Sequence, residues 1–357
     1  MGHESRGSHR YAVLDGLRGL AALCVVLFHA GGRRFVPGGY LAVDFFFALS
    51  GFVIAFAYED RLAAGLTSRR FMLLRLARLY PLYLLSILLG VLLDLSSLVA
   101  PTAQYPVPRI LHSPAFAAAA LVELFFLPAP LPPAYILYPL NGAMWSLLYE
   151  LLVNFVWARF LRRLGVPGLV ACAAMAAVVL AYYVVTVGTV ALGTTAPLFF
   201  GGFARAIYSF SAGVLVYRYR NAFPTGPGVL VAMLIFIVAV ACPVPRGVLR
   251  AGWDIGWILV GFPLLVGLGG RTQNGARWTG TLLLAGAISY PLYALHLPVL
   301  RFAAGPLPQL IGKLPHWRIA AIVATVLLSI WVEKVYDRPL RRWLTRLVQS
   351  RAGTPTA

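Results

Sequence analysis

Charge is scarce in this chain. Only 11% of its 357 residues are Asp, Glu, Lys or Arg, and only 11 are acidic, while 60% are hydrophobic and the mean hydropathy is +0.81. So little charge excludes a soluble globular protein, in which about a quarter of residues are charged. Cysteine is scarcer still. Cys24, Cys172 and Cys242 each lie in an apolar run without metal-ligand spacing, so they read as small buried hydrophobes and carry no assigned chemistry. No internal repeat is evident, and low complexity is confined to a Pro-rich stretch from Pro101 to Pro139. The net charge of +19 does not point to nucleic acid, because the basic residues lie in short clusters between apolar runs, where membrane topology accounts for them.

What the sequence has is long apolar runs. A span needs about 20 mostly apolar residues, and ten candidates fall at about 12–30, 41–58, 79–98, 144–163, 168–188, 202–217, 228–242, 253–269, 282–302 and 318–337. Ala115–Leu127 is apolar too, but it is short and bounded by Pro114, Pro128 and Pro130, so a partly inserted segment is expected there. The expected fold is an all-α polytopic transmembrane bundle of about ten spans. It forms a single integral membrane domain over 1–357, with a core at about 11–340 and a basic, polar cytoplasmic tail at about 341–357. No appended soluble domain is expected, and the first apolar segment reads as a retained helix because no small-residue cleavage pattern follows it.

Orientation follows from Lys and Arg. With both termini in the cytoplasm, 19 of the 30 basic residues fall inside, from Arg6 and Arg10 through Arg220 and Arg271 to Arg351, and 9 outside, among them Arg109, Arg205, Arg250 and Lys313. The chain is therefore expected in the inner (cytoplasmic) membrane as a multi-pass protein.

The first span is unusual in carrying Asp15, Arg18 and His29. Arg18 and His29 are eleven residues apart, about three turns at roughly 3.6 residues each, so they share a helix face about 16 Å apart. Ionisable side chains in a span are costly and should face a protein or water-filled interior.

Six stretches in order complete the pattern. They are LDGLRGLAALCVVLFH at 14–29, VDFFFALSGFVI at 43–54, RLARLYPLY at 75–83, MWSLLYE at 144–150, ISYPLYALHLPV at 288–299 and YDRPLRRW at 336–343. Together the sequence resembles the acyltransferase 3 membrane proteins, which move acyl groups onto sugars and other hydroxylated acceptors. The resemblance implies that His29 and Arg18 are required for transfer, that Arg75 and Arg78 serve the acyl-CoA donor, and that Glu150 is the motif glutamate. The chain departs from the pattern at Leu148, where serine is common, and at Leu151, where a second acidic residue often follows.

The chemistry also follows from the residues. Acyl transfer from a thioester to an alcohol needs a base for the hydroxyl proton and charge or donors for the oxyanion. A partly desolvated histidine such as His29 supplies the base. Arg18 is too far along the helix to touch the same atom, so it either lines the donor's path or pairs with Asp15 and Asp44 as structural glue. Arg75 and Arg78 are one turn apart at the expected inner surface, where guanidinium forks suit coenzyme A phosphates and positive-inside charge equally explains them. Glu150 and Asp44 are both expected in the outer part of their spans, where either carboxylate can orient the His29 ring. His296 is a secondary candidate, as is Asp44.

Scaffold expectations are fewer. Ser50-Gly51 suits close helix packing, Tyr80-Pro81 the first turn of a helix, and Asp337-Arg338-Pro339 the end of the last one. The functional expectation is a membrane O-acyltransferase with no permanently bound cofactor and no metal. It would use acyl-CoA, chiefly acetyl-CoA, as donor and a carbohydrate, glycolipid or other glycosylated hydroxyl as acceptor. The alternative is a transporter or flippase for an anionic or saccharide substrate, which intramembrane charges also serve but which should show repeat-related broken helices.

Overall fold

A computed structural model describes residues 11–102, 106–273, 275–312 and 315–350. Arg6, Arg10, Lys313 and Arg351, used above for topology, lie outside the described residues, as does 351–357 of the expected tail. The fold is all-α. Among the described residues there is no strand, and eight helical stretches are long and apolar enough to cross a membrane.

The helices that matter here are α1 (Ala12–His29), α2 (Ala42–Ala63), α3 (Ser68–Leu95), α4 (Pro114–Leu124), α5 (Trp145–Arg159), α6 (Gly165–Val187), α7 (Phe199–Arg218) and α8 (Val229–Ala241). They continue as α9 (Val248–Gly256), α10 (Phe262–Arg271), α11 (Ala276–Ala304), α12 (Trp317–Val332) and α13 (Arg338–Ser350). The chain packs as two compact units, and α5 and α11 contribute residues to both. The first comprises residues up to Gly65, Leu152–Gly193 and Leu198–Tyr290, and the second Leu66–Leu151, Thr194–Pro197 and residues from Pro291 on.

In the first unit α2 and α7 pack backbone to backbone. A Cβ at Gly51 would overlap the Phe210 carbonyl oxygen and one at Gly213 the Ala48 carbonyl oxygen, so both helices need glycine at the crossing. The expectation for Ser50-Gly51 is met, and Gly213 is its counterpart. The first helix packs against α11 in the same manner, where a side chain at Gly19 would strike the Ala285 backbone.

In the second unit α3 is the long element. Thr67 caps it by accepting from the Arg70 N–H at 3.2 Å. The helix runs through Pro81, which lies in its interior and not in a first turn as expected. The Pro81 carbonyl instead accepts from the Tyr336 hydroxyl at 3.1 Å, tying α3 to the last span.

Three further expectations are corrected. The runs at 144–163 and 228–242 form helices of only 15 and 13 residues, about 22 and 20 Å at 1.5 Å per residue against about 30 Å of hydrocarbon. Pro243 and Pro245 follow α8, and a left-handed Gly228 (φ 95°) precedes it. Asp337-Arg338-Pro339 does not end the last helix. A π-helical turn, Glu333–Asp337, takes up the proline's missing N–H and α13 continues to Ser350, so helix occupies much of the expected tail. The same device recurs at Trp257–Gly261, just before Pro263. Finally, Arg205 is no loop residue: it lies inside α7, fully buried.

Candidate active site

The first unit holds His29, Arg18 and Asp44. His29 is the last residue of α1 and is exposed, with Nδ1 3.0 Å from the Val25 carbonyl oxygen one turn back. A carbonyl only accepts, so Nδ1 carries the proton and Nε2 is the ring's basic atom in the neutral tautomer. The orienting acceptor is thus backbone.

Arg18 is half-buried and held on three sides. It pairs with Asp15 at 2.9 Å, donates from Nε to the Ser289 hydroxyl at 2.9 Å, and donates from Nη2 to the Gly286 carbonyl at 2.6 Å. Gly286 is required, because a side chain there would strike Asp15. Of the two expected partners, Asp15 pairs with Arg18 and Asp44 does not. Both Asp44 oxygens accept from Arg205, at 3.0 Å from Nε and 2.5 Å from Nη2, and both residues are at most 1% exposed. Arg205 Nη1 donates to the Leu192 carbonyl, so this bidentate pair pins α2, α7 and the chain at Leu192 together.

Beside it lies a second polar cluster of the same unit. The Tyr40 hydroxyl donates to Asp254, Arg250 Nε lies 3.0 Å from the same hydroxyl, and Arg250 pairs with Asp254 at 2.8 Å. Arg205 and Arg250, counted above as outer topology residues, are therefore structural ion-pair partners.

The second unit holds Arg75, Arg78, Glu150 and His296. Arg75 is buried and donates from Nη2 to Glu150 Oε1. This contact rules out the expected pair of placements, Arg75 at the inner surface and Glu150 in the outer part of its span, since the two side chains lie at one level. Glu150 sits level with the eighth residue of α3, about 30 Å along that helix from Leu95. The reason is the segment before α5: Leu140 already packs on Gly90, and Asn141 donates to the Ala294 carbonyl at 2.9 Å, so α5 starts deep in the bundle.

Arg78 lies near enough to the end of the last span for its charge to act on Asp337 and Arg341. Asp337 and Glu333 are both buried there. Arg341 approaches Asp337 at 3.4 Å and Glu333 at 3.9 Å, and Arg338 pairs with Glu333 at 3.2 Å. These ion pairs therefore form two sets, Arg75 with Glu150, and Arg338 and Arg341 with Glu333 and Asp337. Sequence reasoning missed Asp337, Glu333 and Arg341, although YDRPLRRW contains two of them. Ser289, the missed partner of Arg18, likewise lies in ISYPLY.

His296 is fully buried in α11, its Nδ1 2.6 Å from the Tyr293 carbonyl oxygen. Nearby, the Tyr293 hydroxyl donates to the Ala143 carbonyl at 3.0 Å and lies 2.7 Å from the Ser146 hydroxyl. Tyr293 thus holds the start of α5, and His296 is joined to Tyr293 within α11.

Comparison with known proteins adds an independent line. Residues 11–334 match the sequence model of a family described as an acyltransferase domain. The chain is 28% identical to the acyltransferase MdmB of Streptomyces mycarofaciens over 94% of its own length and 93% of that protein. It is 42% identical to protein 2 in the picA locus of Rhizobium radiobacter, over 48% of this chain and 93% of that one. No solved structure matches.

Proposed function

Because the chain belongs to this acyltransferase family, we propose that it transfers an acetyl or other short acyl group from cytoplasmic acyl-CoA to a hydroxyl of a carbohydrate, glycolipid or glycosylated acceptor. The observation that carries the reading is the His29 ring, exposed at the end of a charged first span and set by Val25 so that Nε2 is basic. In the proposed reaction His29 Nε2 takes the acceptor hydroxyl proton as that oxygen attacks the thioester carbonyl. The tetrahedral oxyanion then collapses, the carbon–sulfur bond breaks, and the thiolate leaves with the proton from the imidazolium. Such a base is typically worth about 10²–10⁴ in rate.

Arg75 and Arg78 hold the donor's phosphates in this reading, with Glu150 setting the Arg75 guanidinium. Arg18 is a positioning residue that fixes the first helix on α11 through Ser289 and Gly286. The test is mass spectrometry of total glycans and small glycosides from cells with and without the protein, followed by transfer from labelled acyl-CoA by purified protein. An acyl-modified glycoside that disappears with the gene is the expected result, and identical profiles together with no turnover of acyl-CoA would overturn it.

A further inference from the structure

At one end of the first unit an open cleft of about 480 Å³ is lined by Tyr11, Arg220, Asn221, Arg271, Thr272 and Gln273 among others. Three separate chain segments build it: the residue before α1, the turn after α7 and the end of α10. Their docking is close. A Cβ at Gly226 would overlap the Thr272 hydroxyl and the Leu268 carbonyl, and the Gly226 N–H donates to the Arg271 carbonyl at 3.3 Å.

The cleft is cationic by construction. Arg220 and Arg271 make no ion pair among the described residues, and no carboxylate lines the cleft. Of the two acids whose charge reaches Tyr217, Asp60 and Glu59, Glu59 is already taken by Arg218. Arg220 is also held in place: its guanidinium lies 4.2 Å over the Tyr217 ring and Nη1 donates to the Tyr217 carbonyl at 2.8 Å. Tyr11, which also lines the cleft, packs edge-on against Phe52 and Phe56 at 5.1 and 5.0 Å, so its ring is held in place. A pre-set guanidinium at Arg220, a second guanidinium at Arg271, amides and a hydroxyl beside an aromatic ring suit a phosphate joined to a planar heterocycle. The volume lies in the range of small-ligand sites, about 300–1,000 Å³, and exceeds what a lone phosphate fills.

We propose that this cleft binds the phosphorylated nucleoside end of a ligand arriving from the aqueous side that Tyr11, Arg220 and Arg271 share. The two sources of that chemistry are the coenzyme A donor, which rests on the acyl-transfer reading above and would then have its nucleotide held here rather than at Arg75 and Arg78, and a free adenine nucleotide. Arg18 is the seventh residue of the helix that Tyr11 precedes, about 10 Å along its axis, so a ligand here sits at the foot of the charged helix.

The experiment titrates the purified full chain in detergent with adenosine 3′,5′-bisphosphate, coenzyme A, ATP and inorganic phosphate. The variants are Arg220→Gln, Arg271→Gln and Arg271→Lys. The bisphosphate should bind wild type and raise its melting temperature. Each glutamine variant should weaken it about tenfold, as loss of one charge-assisted contact of about 1.4 kcal/mol requires. Lysine should recover only part of the loss.

If coenzyme A displaces the probe and both glutamine variants raise the KM for acyl-CoA about tenfold with kcat kept, the donor is the occupant. If ATP displaces it and that KM is unchanged, a free nucleotide is. Equal bisphosphate affinity in wild type and both glutamine variants, with unchanged melting temperatures, would overturn the proposal while leaving acyl transfer intact. Arginine-dependent probe binding in a protein that turns over no acyl-CoA would instead overturn the acyl-transfer reading and leave the cleft standing.

Discussion

Arg75 of α3 donates to Glu150 of α5, so the arginine assigned to the donor and the glutamate of the WSLLYE stretch form one buried unit. Removing one member of such a pair leaves an uncompensated charge and costs about 3–5 kcal/mol when burial is complete. With Glu150 partly exposed, Glu150→Gln is expected at the lower end of that range. It should also raise the KM for acyl-CoA several-fold while leaving kcat of the folded protein within about threefold. Melting curves in detergent and initial rates against acyl-CoA measure both, and a Glu150→Gln protein with wild-type melting and KM would detach the pair from the donor.

The arginines themselves separate recognition from topology. Arg75→Gln and Arg78→Gln should each weaken acyl-CoA binding by about 1.5–3 kcal/mol, the worth of a hydrogen bond to a charged group. Lysine should restore part of this, since a point charge does not reproduce the bidentate fork. Full restoration by lysine would mean that the positions serve the positive-inside rule alone, which treats both residues alike.

His29→Ala should lower transfer by about 10²–10⁴ with little change in melting temperature, because the ring is exposed and its hydrogen bond to Val25 stays within one helix. Mass-spectrometric detection of acylated product from purified protein reads the first quantity. Activity retained in a folded variant would make the histidine structural.

The apolar runs and the order of the motifs were legible because membrane insertion and helix packing act on residues near in sequence. Gly51 could be read as a packing glycine for that reason. Partnerships between distant residues were not. Asp44 looked like a ligand for His29, and Arg205 like a loop charge, until α2 and α7 were seen to meet through Gly51 and Gly213. The depth of Glu150 was hidden for a related reason: it depends on the non-helical stretch before Trp145, which has no periodicity to read. Pro81 and Pro339 misled because local rules end helices at proline, whereas here tertiary packing and a π-turn carry the helix past it.

The Asp44–Arg205 pair is expected to be a stability element. Asp44→Asn or Arg205→Met alone should cost about 3–5 kcal/mol by stranding the partner's charge. The double variant Asp44→Leu with Arg205→Met should recover much of the loss, since two apolar groups need no counter-charge. Thermal denaturation in detergent decides it, and a double variant no better than the worse single one would show that the carboxylate has a further role.

Glu123 gives the chain a pH dependence whose sign is fixed by its surroundings. It lies outside the long apolar helices, near the end of α4, fully buried. Its Oε1 accepts the Leu140 N–H at 3.3 Å, and its Oε2 has no partner among the described residues. Burial pushes the carboxyl up to about 8 from an ordinary value of 4.5, and the Leu140 N–H and the Arg109 charge pull it back only in part. The folded state therefore prefers the protonated form. Stability from this group is fully present below about 4.5 and is lost as pH rises through about 8. Raising the pH from about 5 to 9 should lower the melting temperature of the purified protein in detergent, and Glu123→Gln, neutral throughout, should flatten that decline. An equally steep decline in the glutamine variant would assign the effect to another buried acid.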